Sequence, residues 1–402
     1  MANDRERHNG LRDEGSARIL ITFGRSFLTL HLARLLADAG HEVMIADSMK
    51  LPVSRFSNAV SRVFRVPAPR FDPHGYGREL ARIAEQESID LIIPMHEETY
   101  YLSMQRELFP ATTKLFLSDF RLENQLHNKV EFQKLLVDRS TPVMQFAEVR
   151  SQQELDDLDM GDLTYALKQS YSRGSAEVYK VRPGQKPTGL TFEADNPWIA
   201  QEWVDGQQYC SYSVCHEGRV LAEAIYPVRY AIDGSSSLTF EQTDHPGISD
   251  WIAELVKDVG FTGQIGFDFI DSPERGLLSI ECNPRSTSGI LMFDRGSGID
   301  KAFLGTATEL VTPRPDVRRM IGPGMMLYGW RKSSLPGNTW RGFWRDYRAT
   351  DEIISDRHDG KPVICVPLAL GNISLHALRY HVSLPEAFLY DHDWDGTPVQ
   401  VQ

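Results

Sequence analysis

Cysteine is scarce in this chain of 402 residues: there are four, Cys210, Cys215, Cys282 and Cys365, and none forms a CxxC pair. That argues against a disulfide framework or a zinc ribbon and suits a reducing compartment. Basic charge is also short. Forty-three Lys and Arg against 55 Asp and Glu leave a net charge of −12, which disfavours a phosphate-backbone partner, so no nucleic acid is expected. No apolar run approaches the ~20 residues of a membrane span, and the opening MANDRERHNGLRDEGSAR has no apolar stretch of the export-signal kind. The expectation is a cytoplasmic chain with neither export signal nor membrane anchor. A dinucleotide fingerprint is missing too: the first strand-to-helix turn, FGRS at Phe23 to Ser26, holds one glycine where GxGxxG is needed. NAD and FAD are therefore not expected.

What is present is ordinary globular material, 41% hydrophobic and 24% charged, in a length that predicts several domains. RILITF at Arg18, a helix with Leu28, Leu32, Leu35 and Leu36 at helical spacing, and HEVMIAD after Gly40 read as a parallel βαβ unit. A helix near Tyr76 to Gln86 and strands at Asp90 to Met95 and Lys114 to Leu117 extend it into a small doubly wound sheet. From Ser118 the pattern becomes α+β. Helices are predicted at Arg121 to Asn128 and Lys129 to Asp138, then strands at Leu163 to Gln169 and Trp198 to Val204. A hairpin over Tyr209 to Pro227, a helix at Ile248 to Val259 and paired strands at Gln264 to Ile270 and Leu277 to Cys282 follow. PRPDVRRMIGPG after Thr312 marks a boundary, beyond which GMMLYGW and KPVICVPLAL read as strands.

The densest chemical signal is GQIGFDF at Gly263 followed, after a turn at Pro273 to Gly276, by LSIECNPR at Leu278. Alternation along a strand puts Glu281 and Asn283 on one face and Ile280 and Cys282 on the other. If the two strands pair, Asp268 joins that face, giving hard oxygen ligands of the kind Mg²⁺ takes beside nucleotide phosphates. Arg285 then places a forked cation against a transferring phosphoryl group. Lys168, on a strand that leads into the Ser/Gly turn SYSRGS, is a further phosphate candidate.

In this order and spacing the segments resemble the ATP-grasp superfamily, of the carboxylate-amine ligase kind related to the ATP-binding domain of carbamoyl-phosphate synthetase. The resemblance implies an α/β and α+β architecture: residues 1–17 as a flexible N-terminus, and a Rossmann-like pre-ATP-grasp domain at 18–120. A two-lobed ATP-grasp domain follows at 121–312, with a lid subdomain about 143–204, and a C-terminal region at 313–402 with additional strands. By resemblance, Lys129 and Lys168 hold the ATP phosphates and Gly174 and Ser175 form the lid. Glu202 and Val204 bind adenine, and Gln208 stands where many members carry an acid for the ribose. Asp268, Glu281 and Asn283 are the Mg²⁺ ligands, with Mn²⁺ as a substitute, and Arg285 and Lys168 are the catalytic cations. No AMKM-type biotinylation site is present.

The expected function is an ATP-dependent ligase joining a small carboxylate to an amine, an amino acid serving as one of them, through an acyl phosphate with release of ADP and phosphate. An acid kinase or carboxylase of the same fold, and a non-catalytic nucleotide-binding regulator, are the alternatives. Substrate is expected between the nucleotide and the carboxyl end of the N-terminal sheet, near His96 and Glu97, with Arg229 gripping a carboxylate and the loop at Ser288 and Gly289 holding the acyl group or amine. A homodimer is a further expectation. Asp391-His-Asp393-Trp-Asp395-Gly396 imitates the start of a calcium loop but reaches Gln402 where a bidentate Glu is needed, and reads as a polar turn.

Overall fold

The computed structural model describes residues 15–172, 178–232, 236–330, 339–397 and 399. Residues 1–14 and the expected lid residues Gly174 and Ser175 lie outside them. The first five strands, β1 (Arg18–Ile21), β2 (Glu42–Asp47), β3 (Arg62–Arg65), β4 (Leu91–Ile93) and β5 (Lys114–Leu115), form one parallel sheet in the order β3-β2-β1-β4-β5. Both faces are apolar because both are covered. Ile19 and Ile21 meet Leu32, Leu35 and Leu36 of helix Phe27–Asp38, whereas Leu20 points the other way onto Leu80 and Ile83 of helix Pro73–Gln86. Only Gly24 fits the first turn, since a Cβ there would come within 2.3 Å of Ile45. The edge strand β3, with a half-exposed RVFR, carried too little apolar alternation to be read from sequence.

Helices Phe120–His127 and Lys129–Asp138 lead into the next sheet, β6 (Phe146–Val149), β7 (Tyr165–Gln169), β8 (Tyr179–Val181) and β9 (Trp198–Glu202), which pair antiparallel in the order β6-β9-β7-β8. Asn128 links the two helices, accepting from Val130 N and Glu131 N as an N-cap. Beyond lie the long hairpin β10 (Gln207–His216) and β11 (Arg219–Pro227), then three short strands, β12 (Ala231–Ile232), β13 (Ser236–Ser237) and β14 (Thr239–Glu241). Helix Pro246–Val259 precedes β15 (Gly263–Ser272) and β16 (Gly276–Asn283), and the larger antiparallel sheet runs β11-β10-β15-β16. Phe267, Phe269 and Cys282 pack with Leu255 and Val256 of that helix, so Cys282 is a core thiol.

The C-terminal region departs from expectation. It adds two short strands, β17 (Arg318–Met320) and β18 (Asp351–Glu352), which join β14 as β14-β17-β18, but the two segments read as strands are helical. Met325–Gly329 is a π-helical turn, and KPVICVPLAL is the first half of helix Lys361–Tyr380. Val363, Ile364 and Val366 favour a strand locally, but a short apolar run has no period that separates the two states. The ends decide: Pro362 suits a first turn and His381 closes the helix in the left-handed region at φ 56°. This 20-residue helix, mean hydropathy 1.3, has the length and apolarity of a membrane crossing, which the sequence reading did not anticipate.

The chain then returns to its beginning. The Asp391 carboxylate accepts from Arg25 Nη1 at 2.7 Å and from Ser48 Oγ at 2.6 Å, while Arg25 Nη2 donates to Asp47 Oδ1 at 2.6 Å. Burial alone would raise the Asp391 carboxyl, but Arg25 and His392 hold it well below the usual range. The segment expected as a polar turn is thus a buried insert: Asp391, His392 and Trp394 are at most 1% exposed. Burying the charged pair is tolerable because Arg25 meets two carboxylates and a hydroxyl. We predict that Arg25→Met, which strands Asp47 and Asp391 together, lowers unfolding stability by about 3–5 kcal/mol in urea titration. Asp395→Ala, whose half-exposed carboxylate lies 3.5 Å from Arg70, should cost less than about 1 kcal/mol.

Candidate active site

The β15-β16 register sets Asp268 opposite Glu281 and Gly266 opposite Asn283. An irregularity in the pairing beside Asp268 leaves Ile280 without a cross-strand partner. Its carbonyl instead accepts from Gln201 Nε2 at 3.2 Å and Gln133 Nε2 at 3.4 Å. Two amides therefore fasten β9 and helix Lys129–Asp138 to the strand that carries Glu281. Neither glutamine was singled out from sequence, where nothing separates a stapling amide from a surface one.

Around Glu281 the charges converge. Lys129 Nζ and Lys168 Nζ each lie 3.6 Å from Glu281 Oε2, and both lysines are about 95% buried. Lys129 Nζ also donates to the Ser172 carbonyl at 2.7 Å. Burial would raise the Glu281 carboxyl, yet the two lysines hold it down, to about 2. Asp268 goes the other way. Burial first and the Glu281 charge second push it up to about 7, while a hydrogen bond with Cys210, directly opposite it on β10, opposes the rise. Two acids that face each other in this way titrate as a coupled pair. Asn283 Oδ1 accepts from Arg285 Nη2 at 3.0 Å, and Arg285 Nε lies 3.9 Å from Glu97 Oε1. Carboxylate and amide oxygens without sulfur fit a hard cation such as Mg²⁺.

The other anticipated residues divide. Val204 lies in a buried apolar cluster with Met144, Ile270 and Leu278. The Glu202 carboxylate is engaged elsewhere, accepting from Arg275 Nη1 at 2.6 Å and Gln145 N at 3.0 Å, and its main-chain N–H donates to the Gln145 carbonyl at 2.8 Å. Gln208 sits on β10 opposite Ile270 of β15. His96 and Glu97 follow β4 and are 7% and 0% exposed, under the returning tail. Arg229 is not brought to this cluster by any contact in the described residues: it donates to Glu241 Oε2 at 2.8 Å and Asp346 Oδ2 at 3.4 Å, holding helix Trp340–Ala349. Ser288 opens the 3-10 turn Ser288–Met292, and Gly289 is there for packing, since a Cβ would lie 2.4 Å from Tyr212 Cβ. Cys210, next to Asp268, was read only as a reduced cysteine.

Raising a carboxyl's folded value above its unfolded one costs stability as pH climbs between the two values, and the cost stays in force above both. Asp268→Asn should therefore raise the thermal midpoint of the metal-free protein at pH 8 and change it little at pH 4. A variant less stable than wild type at pH 8 would show that Asp268 supports the fold.

Residues 126–289, less than half of the chain, match the ATP-grasp domain family. No curated protein sequence matches. Among solved structures, N5-carboxyaminoimidazole synthetase from Staphylococcus aureus complexed with ADP has 12% identity and a TM-score of 0.53 over 77% of this chain and 84% of that one. Pyruvate carboxylase of Rhizobium etli has 16% identity and a TM-score of 0.55 over 75% of this chain but 29% of that longer one. Biotin carboxylase of Campylobacter jejuni has 11% identity and a TM-score of 0.54 over 75% and 73%. Identities this low show a shared fold. The fold and the family match together identify residues 126–289 as an ATP-grasp domain, preceded by the parallel sheet and wrapped by the C-terminal region.

Proposed function

We propose that the protein is an ATP-dependent carboxylate-amine ligase working through an acyl phosphate. The observation that carries this reading is the convergence of Lys129 and Lys168 on Glu281, itself paired with Asp268, with Arg285 two residues past Asn283. Phosphoryl transfer asks a protein mainly for positioning and charge neutralisation, and this centre offers both without a covalent nucleophile. Lys129 and Lys168 grip the phosphates, and the apolar side chain of Val204 with the Glu202 carbonyl receives adenine. Gln208 accepts from a ribose hydroxyl. Asp268, Glu281 and Asn283 would hold Mg²⁺, or Mn²⁺, which would offset the charge of the phosphates.

An oxygen of the acid attacks the γ-phosphorus and ADP leaves with the β-γ bridging oxygen. The amine nitrogen then adds to the acyl carbon, loses a proton, and expels phosphate. Arg285 stabilises charge on the transferring group, which makes it a contact of the transition state. The substrates enter between Arg285 and the carboxyl ends of the parallel strands, where such sheets collect ligands. Ser288, three residues past Arg285, is the proposed hydroxyl contact, whereas Arg229 is held by Glu241 and Asp346 and serves the substrate only if those pairs open. A cytoplasmic location and a homodimer complete the reading.

Product analysis tests it. A panel of small acids and amines, amino acids included, should release ADP and phosphate, with the amide formed in equal amount. AMP and pyrophosphate would sink the mechanism; bicarbonate dependence or an acyl phosphate as final product would move the protein to a carboxylase or an acid kinase. Glu281→Ala should abolish turnover, and Arg285→Ala should lower kcat by about 10²–10³ with the KM for ATP little changed.

A further inference from the structure

The returning tail brings a second, chemically different cluster beside the nucleotide centre. His96 and Glu97 follow β4, and Asp393 arrives from the far end of the sequence. One donor atom from each lies within 4.8 Å of the other two. Atoms that share a single ion at ~2.0–2.5 Å lie within roughly 4–5 Å of one another, so the spacing is that of a coordination sphere. All three side chains are more than nine-tenths buried. The Glu97 side chain and the Asp393 backbone are already held: Trp394 N donates to Glu97 Oε2 at 2.8 Å and Tyr101 Oη to the Asp393 carbonyl at 2.9 Å. Trp394 packs at 4.9 Å against Tyr100 and at 5.1 Å, edge-on, against Tyr171. A cluster whose orientation is set by such a shell needs little rearrangement to receive an ion.

The geometry points to a divalent transition-metal site formed by His96, Glu97 and Asp393, separate from the oxygen-only set of Asp268, Glu281 and Asn283. One imidazole nitrogen with two carboxylate oxygens suits zinc or manganese, whereas an all-oxygen set suits magnesium. Arg285 Nε and His127 Nε2 each approach Glu97 Oε1 at 3.9 Å. A carboxylate has lone pairs for these neighbours and for an ion as well. The ion fastens the tail to the strand ends beside Arg285. It is a structural clamp on the floor of the substrate crevice.

The test uses the full chain, stripped with chelator and free of nucleotide, titrated with zinc alone by calorimetry and by metal content after dialysis. Wild type and Glu281→Gln should each bind one equivalent at this site and gain thermal midpoint with zinc. His96→Gln and Asp393→Asn should lose that gain and bind at least about tenfold more weakly. Because these two residues lie at opposite ends of the sequence, either variant decides if the other does not fold. No zinc bound by wild type, wild-type binding by a folded His96 or Asp393 variant, or loss confined to Glu281→Gln would each overturn the assignment. The last outcome would place the zinc at the nucleotide centre and leave the ligase reading standing.

Discussion

Everything at the centre of this protein depends on one interaction: two buried ammonium groups held against one carboxylate. Lys129 and Lys168 approach the same oxygen of Glu281. Burying three charges in an interior is costly unless each has a partner and somewhere to act. Here the net positive charge left over is what a polyphosphate would neutralise. The surrounding fold serves that pairing. Helix Lys129–Asp138, β7 and β16 each supply one member, and Gln133 on that helix and Gln201 on β9, the strand paired with β7, both donate to the Ile280 carbonyl of β16.

Asp268 shows what such a centre costs. Its carboxyl is pushed up first by burial and then by the facing charge of Glu281. A buried carboxyl held high in this way costs stability, and the stability given up there is compensated elsewhere in the fold. Part of the compensation comes from the C-terminal wrap. Arg34 donates to Asp359, Arg25 to Asp391, and the tail then covers His96 and Glu97. The C-terminal region is therefore fastened to the parallel sheet, at Arg25 and Arg34 and at Glu97.

The difference between what could and could not be read from sequence follows chain distance. The hairpin carrying Asp268, Glu281 and Asn283 was legible because its signal is local: period-two alternation, one turn, and polar residues where an apolar strand should continue. Lys168 was found for the same reason. The tail was misread because its meaning lies in Arg25, more than 360 residues away, and DHDWDG by itself has the composition of a surface turn. Arg229 looked free for the converse reason, since Glu241 and Asp346 are invisible partners until the sheet β14-β17-β18 forms. Helix Lys361–Tyr380 was missed because its β-branched residues speak for a strand and only its ends and tertiary contacts speak for a helix.

The central claim is that the lysine-carboxylate centre is a magnesium-nucleotide site, and it can be tested without knowing the substrates. Calorimetric titration of wild type and Lys168→Met with ATP, each with and without Mg²⁺, addresses it directly. The account predicts one site per chain, tighter binding with Mg²⁺, and at least about a tenfold loss in Lys168→Met, the scale of one lost charge-assisted phosphate contact. No nucleotide binding by wild type, or equal affinity in a Lys168→Met protein of unchanged fold, would contradict it.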